Sequence, residues 1–275
     1  MDPVAPFAKM LRAENPGPMT LDGTRSYVLG APGARGRVVV DPGPSLEPHL
    51  AALATVGPVD LVLVTHRHAD HTGGLARFRE LTGAPSRGAL PEFSVAGRQR
   101  ADDVRTGPLA DGEVLDVAGL RIEVLATPGH TADSVCFMVS AADDPASGGV
   151  VLTGDSVLGQ GTTVLAEPDG SLRDYLASLD RLSTLPHGPG LPGHGPVLPD
   201  LGATVRAYRE HRLERLDQVR AALSALGAEL PGPATPLPDT LLDAVTKEVY
   251  TDVDPSVLGA ARWSVRAQLE YLREE

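Results

Sequence analysis

Five short aliphatic runs in this chain each close in a turn that carries an aspartate or a histidine. Val38–Val40 leads into Asp41-Pro42-Gly43, and Asp60–Val64 into Thr65-His66-Arg67-His68-Ala69-Asp70-His71. Arg121–Leu125 leads into Thr127-Pro128-Gly129-His130, Val150–Leu152 into Thr153-Gly154-Asp155, and a last short stretch into Leu191-Pro192-Gly193-His194-Gly195. Aliphatic and β-branched runs punctuated by Gly and Pro read as buried strands. Loops on a rigid strand scaffold are where sites are built, so the five turns are expected to converge on one rim. Aromatic residues are 4% of the chain while Gly (30) and Pro (25) are plentiful, so the core must be aliphatic and the loops numerous.

Helical periodicity fills the intervals. It predicts helices over Leu46–Ala54, Gly74–Leu81 and Leu172–Leu182, then a longer amphipathic one over Ala203–Leu226 with Leu213, Leu216, Val219, Leu223 and Leu226 on one stripe. Pro231–Pro238 breaks the chain, and two further helices are expected near Thr240–Tyr250 and Ser256–Arg273. A domain boundary is expected near residues 200–205, giving a catalytic domain over 1–204 and a C-terminal domain over 205–275.

Four side chains able to bind a metal fall within six positions in His66-x-His68-x-Asp70-His71. Neutral imidazole and carboxylate both suit zinc. Alternation along an extended loop points His66 and His68 the same way, so they can clamp one ion, while Asp70 and His71 reach a neighbouring one. Packed together in a core with no ion, such a group would cost several kcal/mol. The isolated His49, His187 and His211 read instead as surface or internally satisfied residues.

The net charge of −12 weighs against an extended electrostatic grip on nucleic acid. No apolar run is long enough to span a bilayer, no secretory leader is legible, and the single Cys136 fits a reducing compartment, so a cytoplasmic protein is expected. Residues 206–275 carry nine Lys and Arg against twelve Asp and Glu, interleaved on the long helix, which reads as a solvated, salt-bridged face. Trp263 and Tyr271 read as packing residues.

The His66-x-His68-x-Asp70-His71 motif, with Asp41, Gly129-His130, Gly154-Asp155 and Gly193-His194-Gly195 in order over roughly residues 20–200, resembles the metallo-β-lactamase fold superfamily. The resemblance implies an αββα sandwich with the site at one edge between two sheets. Carried over position by position, His66, His68 and His130 would hold one ion, Asp70, His71 and His194 a second, and Asp155 would bridge them. Asp41 matches a position that orients the histidines instead of binding metal. Asp70 has two readings, ligand or proton shuttle, of which ligand is favoured. Asn15–Tyr27 and Glu210–Gln218 further resemble the β-lactamase-like protein 2 group, which appends a small, mainly helical winged-helix-like domain.

The resemblance implies a hydrolase with two divalent ions, Zn2+ first and Mn2+ or Fe2+ as alternatives, sharing a hydroxide that attacks an ester-like bond. The substrate would be an acyl thioester or another small molecule, or single-stranded RNA; a glyoxalase II-like thioesterase is the near alternative. An iron-dependent persulfide dioxygenase-like oxidoreductase is the alternative of another class. The C-terminal portion would wall the site or mediate a homodimer. Thr65, Thr131, Thr162 and Thr163 are candidate pocket residues, and Tyr27 a candidate substrate contact.

Overall fold

The computed structural model describes residues 1–97, 107–143, 149–166, 168–251 and 258–275. Eleven strands among these residues form two sheets. The first runs in sequence order from β1 to β6: β1 (Asp2–Ala5), β2 (Ala8–Arg12), β3 (Arg25–Leu29), β4 (Arg37–Val40), β5 (Val59–Leu63) and β6 (Ser86–Arg87). The second has the order β11-β10-β9-β8-β7, from β7 (Val114–Val117), β8 (Leu120–Ala126), β9 (Val135–Ala141), β10 (Val150–Gly154) and β11 (Gly190–Pro192).

The chain divides into two compact units, and both sheets belong to the first, made of Met1–Thr127, Asp133–Gly161 and Pro186–Leu201. Its main core lies between the sheets. Tyr27, Leu29, Val38, Val40, Leu61 and Leu63 come from the first sheet and meet Leu120, Ile122, Val124, Phe137, Val139 and Leu152 of the second. Period-two alternation explains the choice of residues: Leu120, Ile122 and Val124 face inward on β8, and the charged Arg121 between them is exposed. Both faces of β4 are buried, which is why its Val38-Val39-Val40 run does not alternate. Val39 packs outward with Val62 against Leu50 and Leu53 of α1 (Glu47–Ala54) and Phe78 of α3 (Leu75–Thr82).

Strand direction then places the turns. β4 and β5 are parallel, with Val40 opposite Leu63, so the residues that follow them, Asp41 and Val64-Thr65-His66, emerge side by side. β10 and β11 are also parallel, with Gly154 opposite Pro192, so Asp155 and His194 emerge together. A single helical turn, α2 (Ala69–Thr72), follows His68 and was not legible as a helix. It is too short to show a 3.6-residue period.

The second unit comprises Pro128–Ala132, Thr162–Leu185 and Gly202–Glu275. It contains α4 (Leu172–Ser183), capped by Ser171, whose hydroxyl accepts the Asp174 N–H at 3.2 Å. It also contains α5 (Leu201–Leu226, whose first residue is counted with the first unit), α6 (Asp239–Val249) and α7 (Leu258–Leu272). Residues 256–257 of the last expected helix lie outside the described residues. Val219, Ala222 and Leu223 of α5 pack with Leu242 and Val245 of α6 and Val265 and Leu269 of α7. The expected α5 stripe is therefore narrower than its periodicity suggests: Leu213 and Leu226, beyond that cluster, are exposed. Trp263 is also exposed, contrary to its reading as a packing residue, because it lies on a face of α7 outside the cluster. The long helix is salt-bridged as expected, Arg209 to Asp180 at 2.6 Å and Arg220 to Glu275 at 2.7 Å. Arg212 departs from that pattern: it is buried, stacked over the Tyr175 ring, and donates to the Thr163 carbonyl. Among the described residues of α5–α7 and their connections there is no strand. No helix among the described residues is long and apolar enough to cross a membrane.

Candidate metal centre

Asp41 organises the site from beneath. Its backbone sits in the left-handed region (φ 51°), a strain of roughly 1–2 kcal/mol for a residue with a Cβ. Asp tolerates that region better than most residues, and its buried carboxylate is fully engaged. Oδ1 accepts the Thr65 backbone N–H at 2.8 Å; Oδ2 accepts the Thr65 hydroxyl at 2.7 Å and His71 Nδ1–H at 2.8 Å. Because a carboxylate can accept but not donate, the Thr65 proton points at Asp41, and Thr65 Oγ1 is left to accept His66 Nδ1–H at 3.0 Å. One carboxylate thus sets the rings of two histidines, His71 directly and His66 through a hydroxyl. When either ring is neutral, the lone pair is therefore left on Nε2.

The ligand-capable atoms gather in two groups. Those of His66, His68 and Asp155 lie within 4.8 Å of one another, as do those of Asp70, His71 and His194. His66 Nε2 and His68 Nδ1 are 3.1 Å apart. Asp70 Oδ2 lies 3.1 Å from His194 Nε2 and 3.3 Å from His71 Nε2. Asp155 joins the groups, with Oδ1 at 3.4 Å from His71 Nε2 and Oδ2 at 3.3 Å from His194 Nε2.

His130 stands on Pro128–Ala132, a loop that leaves β8 and returns to β9 but is counted with the second unit. That unit holds it firmly. His130 Nδ1 donates to the Val164 carbonyl at 2.9 Å, Ser178 Oγ donates to the Pro128 carbonyl at 2.7 Å, and the Ser171 N–H donates to the Gly129 carbonyl. The bond to Val164 selects the tautomer with its lone pair on Nε2.

The charges show what the first-unit cluster is built to hold. Burial opposes ionisation of Asp70, but hydrogen bonds from His194 and His71 outweigh it and hold the carboxyl well below its usual range. Asp155 is likewise held low against its burial, by the charge of His71 and the bond from His194. Burial opposes charge on the imidazoles too, yet Asp155 and Asp41 hold His71 well above the ordinary histidine value. Hydrogen bonds to Asp155 and Asp70 push His194 up to about 9. Carboxylates kept ionised beside imidazoles that keep their protons make a site for positive charge, and a divalent cation would displace those imidazole protons.

The donors fit such ions. Each group combines imidazole nitrogen with carboxylate oxygen, and the backbone has been kept bare beside them. A Cβ on Gly193 would lie 2.4 Å from Asp155 Oδ1 and 2.6 Å from His71 Cε1. Gly154 is similarly constrained, at φ 48° with Thr65 Oγ1 2.7 Å from where its Cβ would be.

Two expectations need correction. Tyr27 is not a substrate contact: it is buried in the core, and its hydroxyl donates to the Pro192 carbonyl at 2.7 Å, fixing the turn before His194. Thr65 is not a pocket wall but the buried link between Asp41 and His66. Thr131 and Thr163 are buried as well. His49, read as a bland residue, is buried against the Ser26 hydroxyl at 2.9 Å, and burial lowers its pKa to about 4. A contact that sequence reasoning missed is Thr24, whose hydroxyl reaches Asp70 from 46 positions away. Its one sequence signal was its place inside the Asn15–Tyr27 segment.

Comparison with known proteins agrees with this geometry. Residues 19–194 match the family model described as the metallo-beta-lactamase superfamily. A Caenorhabditis elegans protein named beta-lactamase-like protein 2 homolog is 32% identical over 264 residues, covering 94% of this chain and 81% of its own. An atrochrysone carboxyl ACP thioesterase of Aspergillus fumigatus is 33% identical over 238 residues, covering 83% of this chain and 69% of its own. The crystal structure of a metallo-beta-lactamase family protein from Thermus thermophilus superposes with a TM-score of 0.71 at 25% identity, over 99% of this chain and 95% of that one.

Proposed function

This chain belongs to the metallo-beta-lactamase superfamily and is a hydrolase, and on that premise we propose that it cleaves acyl thioesters at a centre holding two divalent ions, zinc being the ion its donors suit best. The observation that carries the reading is the pair of ligand groups joined at Asp155. His66, His68 and Asp155 would hold one ion and Asp70, His71 and His194 the other; the motif resemblance adds His130 to the first set. Two ions, when bound, supply Lewis acidity and lower the pKa of water from about 16 to about 7, so that a nucleophile exists at neutral pH.

The chain's own residues do the rest. Asp41 and Thr65 keep the histidine rings from rotating, so no reorganisation is required at the moment of reaction. Asp70 is proposed as a ligand; its side chain is 26% exposed, against 10% for Asp155, which also leaves it the carboxylate better placed to pass a proton to solvent. A thioester suits the site because a thiolate, with a thiol pKa of about 8.5, leaves at neutral pH without a proton donor. The thioesterase among the relatives and the net charge of −12 support that substrate class over RNA. The buried Cys136 is compatible with a reducing, cytoplasmic setting. We assign the three-helix portion α5–α7, packed around Val219, Leu242, Val245, Val265 and Leu269, as the helical part of a winged-helix-like domain.

Two measurements test the proposal together. Zinc-loaded protein should contain two ions per chain, and turnover should be seen on an acyl thioester but not on a short single-stranded RNA, with His68→Ala inactive on both. RNA cleavage that depends on His68, without thioester turnover, would reverse the substrate assignment. Substantially fewer than two ions per chain would overturn the centre itself.

A further inference from the structure

We propose that the loop from Asn15 to Thr24 is a positioning element for one ligand group, that of Asp70, His71 and His194, and that it acts chiefly through the Thr24 hydroxyl on Asp70. This inference rests on the two-ion reading above and assigns a task to the Asn15–Tyr27 segment, which that reading leaves unused.

The loop is closed on itself before it reaches the site. Thr20 Oγ1 donates to the Asn15 carbonyl at 2.6 Å, the Gly23 N–H donates to the Thr20 carbonyl at 2.8 Å, and Gly17 pairs with Leu21. Gly23 has φ 129°, and a Cβ there would lie 2.1 Å from the Ala13 carbonyl oxygen, so no other residue fits without moving the loop. Within this frame the Asn15 side chain grips Thr24 twice. Its Oδ1 accepts the Thr24 backbone N–H at 2.9 Å, and its Nδ2 donates to Thr24 Oγ1 at 2.9 Å.

The second bond decides where the hydroxyl proton goes. An amide nitrogen can only donate, so Thr24 Oγ1 accepts from Asn15 and its own hydrogen is directed at Asp70 Oδ2, 3.0 Å away. Thr24 is fully buried, which leaves that hydrogen no competing water. The loop also reaches the other end of the same group. The Gly23 carbonyl lies 3.4 Å from His194 Nδ1, and directly after the loop, at the start of β3, the Arg25 N–H donates to the Gly193 carbonyl at 2.8 Å. Two of the three ligands in the group, from α2 and from the turn after β11, thereby take their orientation from one N-terminal loop. His66, by contrast, is oriented by Thr65.

The test is a zinc titration of metal-free full-length protein against a chromophoric chelator, in two single-group backgrounds. His68→Ala impairs the first group and reports on the second; His194→Ala does the converse. Adding Thr24→Val in the His68→Ala background should weaken the remaining zinc by about 10–100-fold, the usual consequence of losing a partner that orients a ligand. In the His194→Ala background the same change should alter zinc affinity by less than about twofold. Thr24→Ser should restore binding to within about threefold of the parent, because it returns the hydroxyl and not the methyl. Asn15→Ala should cause a smaller loss with the same selectivity, and it keeps the question open to measurement if Thr24→Val does not fold. Equal losses in the two backgrounds, no loss in either, or failure of Thr24→Ser to restore binding would overturn the proposal. Wild-type protein that binds fewer than two zinc ions would instead sink the two-ion reading on which it rests.

Discussion

The two ligand groups are made of the same side-chain chemistry but are held in different ways. His66 and His68 come from one stretch of chain, and His66 takes its orientation from the residue beside it, Thr65. Asp70, His71 and His194 are held from far along the chain: Thr24 reaches Asp70 across 46 positions, Asp41 reaches His71 across 30, and Gly23 faces His194 across 171. The two histidines of the first group are thus set largely by local geometry, although Asp155 joins them from the end of β10, while every member of the second waits until the N-terminal loop, β4 and β11 are in register. Asp41 ties them together, since one carboxylate serves His71 and, through Thr65, His66.

The largest effects come from removing ligands. His68→Ala and His71→Ala should each reduce kcat/KM by roughly 10³-fold or more, because the ionised water depends on the metal centre. Metal analysis should separate them: one ion retained in each, with the retained site different. Loss of both ions from either variant would show that the groups do not bind independently.

Asp41→Asn should strike both groups at once. Asn accepts the positive φ and keeps the size of Asp41, but its amide end cannot accept the two hydrogens now given to Oδ2. Zinc affinity at both sites should fall by about 10–100-fold, read by the same chelator competition. A loss confined to one site would break the idea of a shared support.

Thr65→Val should separate what Asp41→Asn joins. It removes the hydroxyl between Asp41 and His66 while leaving the His71 bond in place, so affinity should fall about 10-fold at the first group and less at the second. Leaving Asp41 short of one donor should also cost about 1–3 kcal/mol of stability, measurable by denaturant unfolding.

The smallest and most graded effect is that of pH. His194 has a folded pKa near 9, above the ordinary histidine value of about 6.5. In metal-free protein it therefore contributes stability that is complete below about pH 6.5 and is lost as pH rises through 9. Asp70 and Asp155, held low, contribute stability above about pH 4 that fades as the pH falls further. Metal-free protein should lose Tm between pH 6.5 and 9, while the Tm gained on adding zinc should grow over that interval, since the ion no longer competes with a proton. A zinc-induced gain that shrinks with rising pH would contradict the coupling.

Much of the fold could be read in advance, and the reasons differ by element. β4, β5, β8 and β10 were legible because buried aliphatic runs bounded by Gly or Pro leave few alternatives. β1, β2 and β3 were not, since Asp2–Ala5 and Ala8–Arg12 have mixed exposure and β3 carries Arg25 and Ser26 at buried positions. Those polar residues are buried because Asp22 pairs with Arg25 and His49 bonds Ser26, contacts that no periodicity encodes. Trp263 misled because an aromatic on an amphipathic helix ordinarily packs, and here the stripe that does pack lies on another face of α7.

By itself the sequence singled out the side chains that the structure gathers into two groups able to hold a metal. Closely spaced histidines and aspartates after buried strands carry that information in their identity and order, and imidazole nitrogen beside carboxylate oxygen suits a divalent cation. Tertiary structure decided how those side chains are grouped, which neighbour orients each one, and that Thr65 and Tyr27 serve as supports instead of facing a substrate. The physical reason is that a hydrogen bond of about 3 Å depends on strand register and loop closure summed over the whole chain. No local stretch of residues contains that sum.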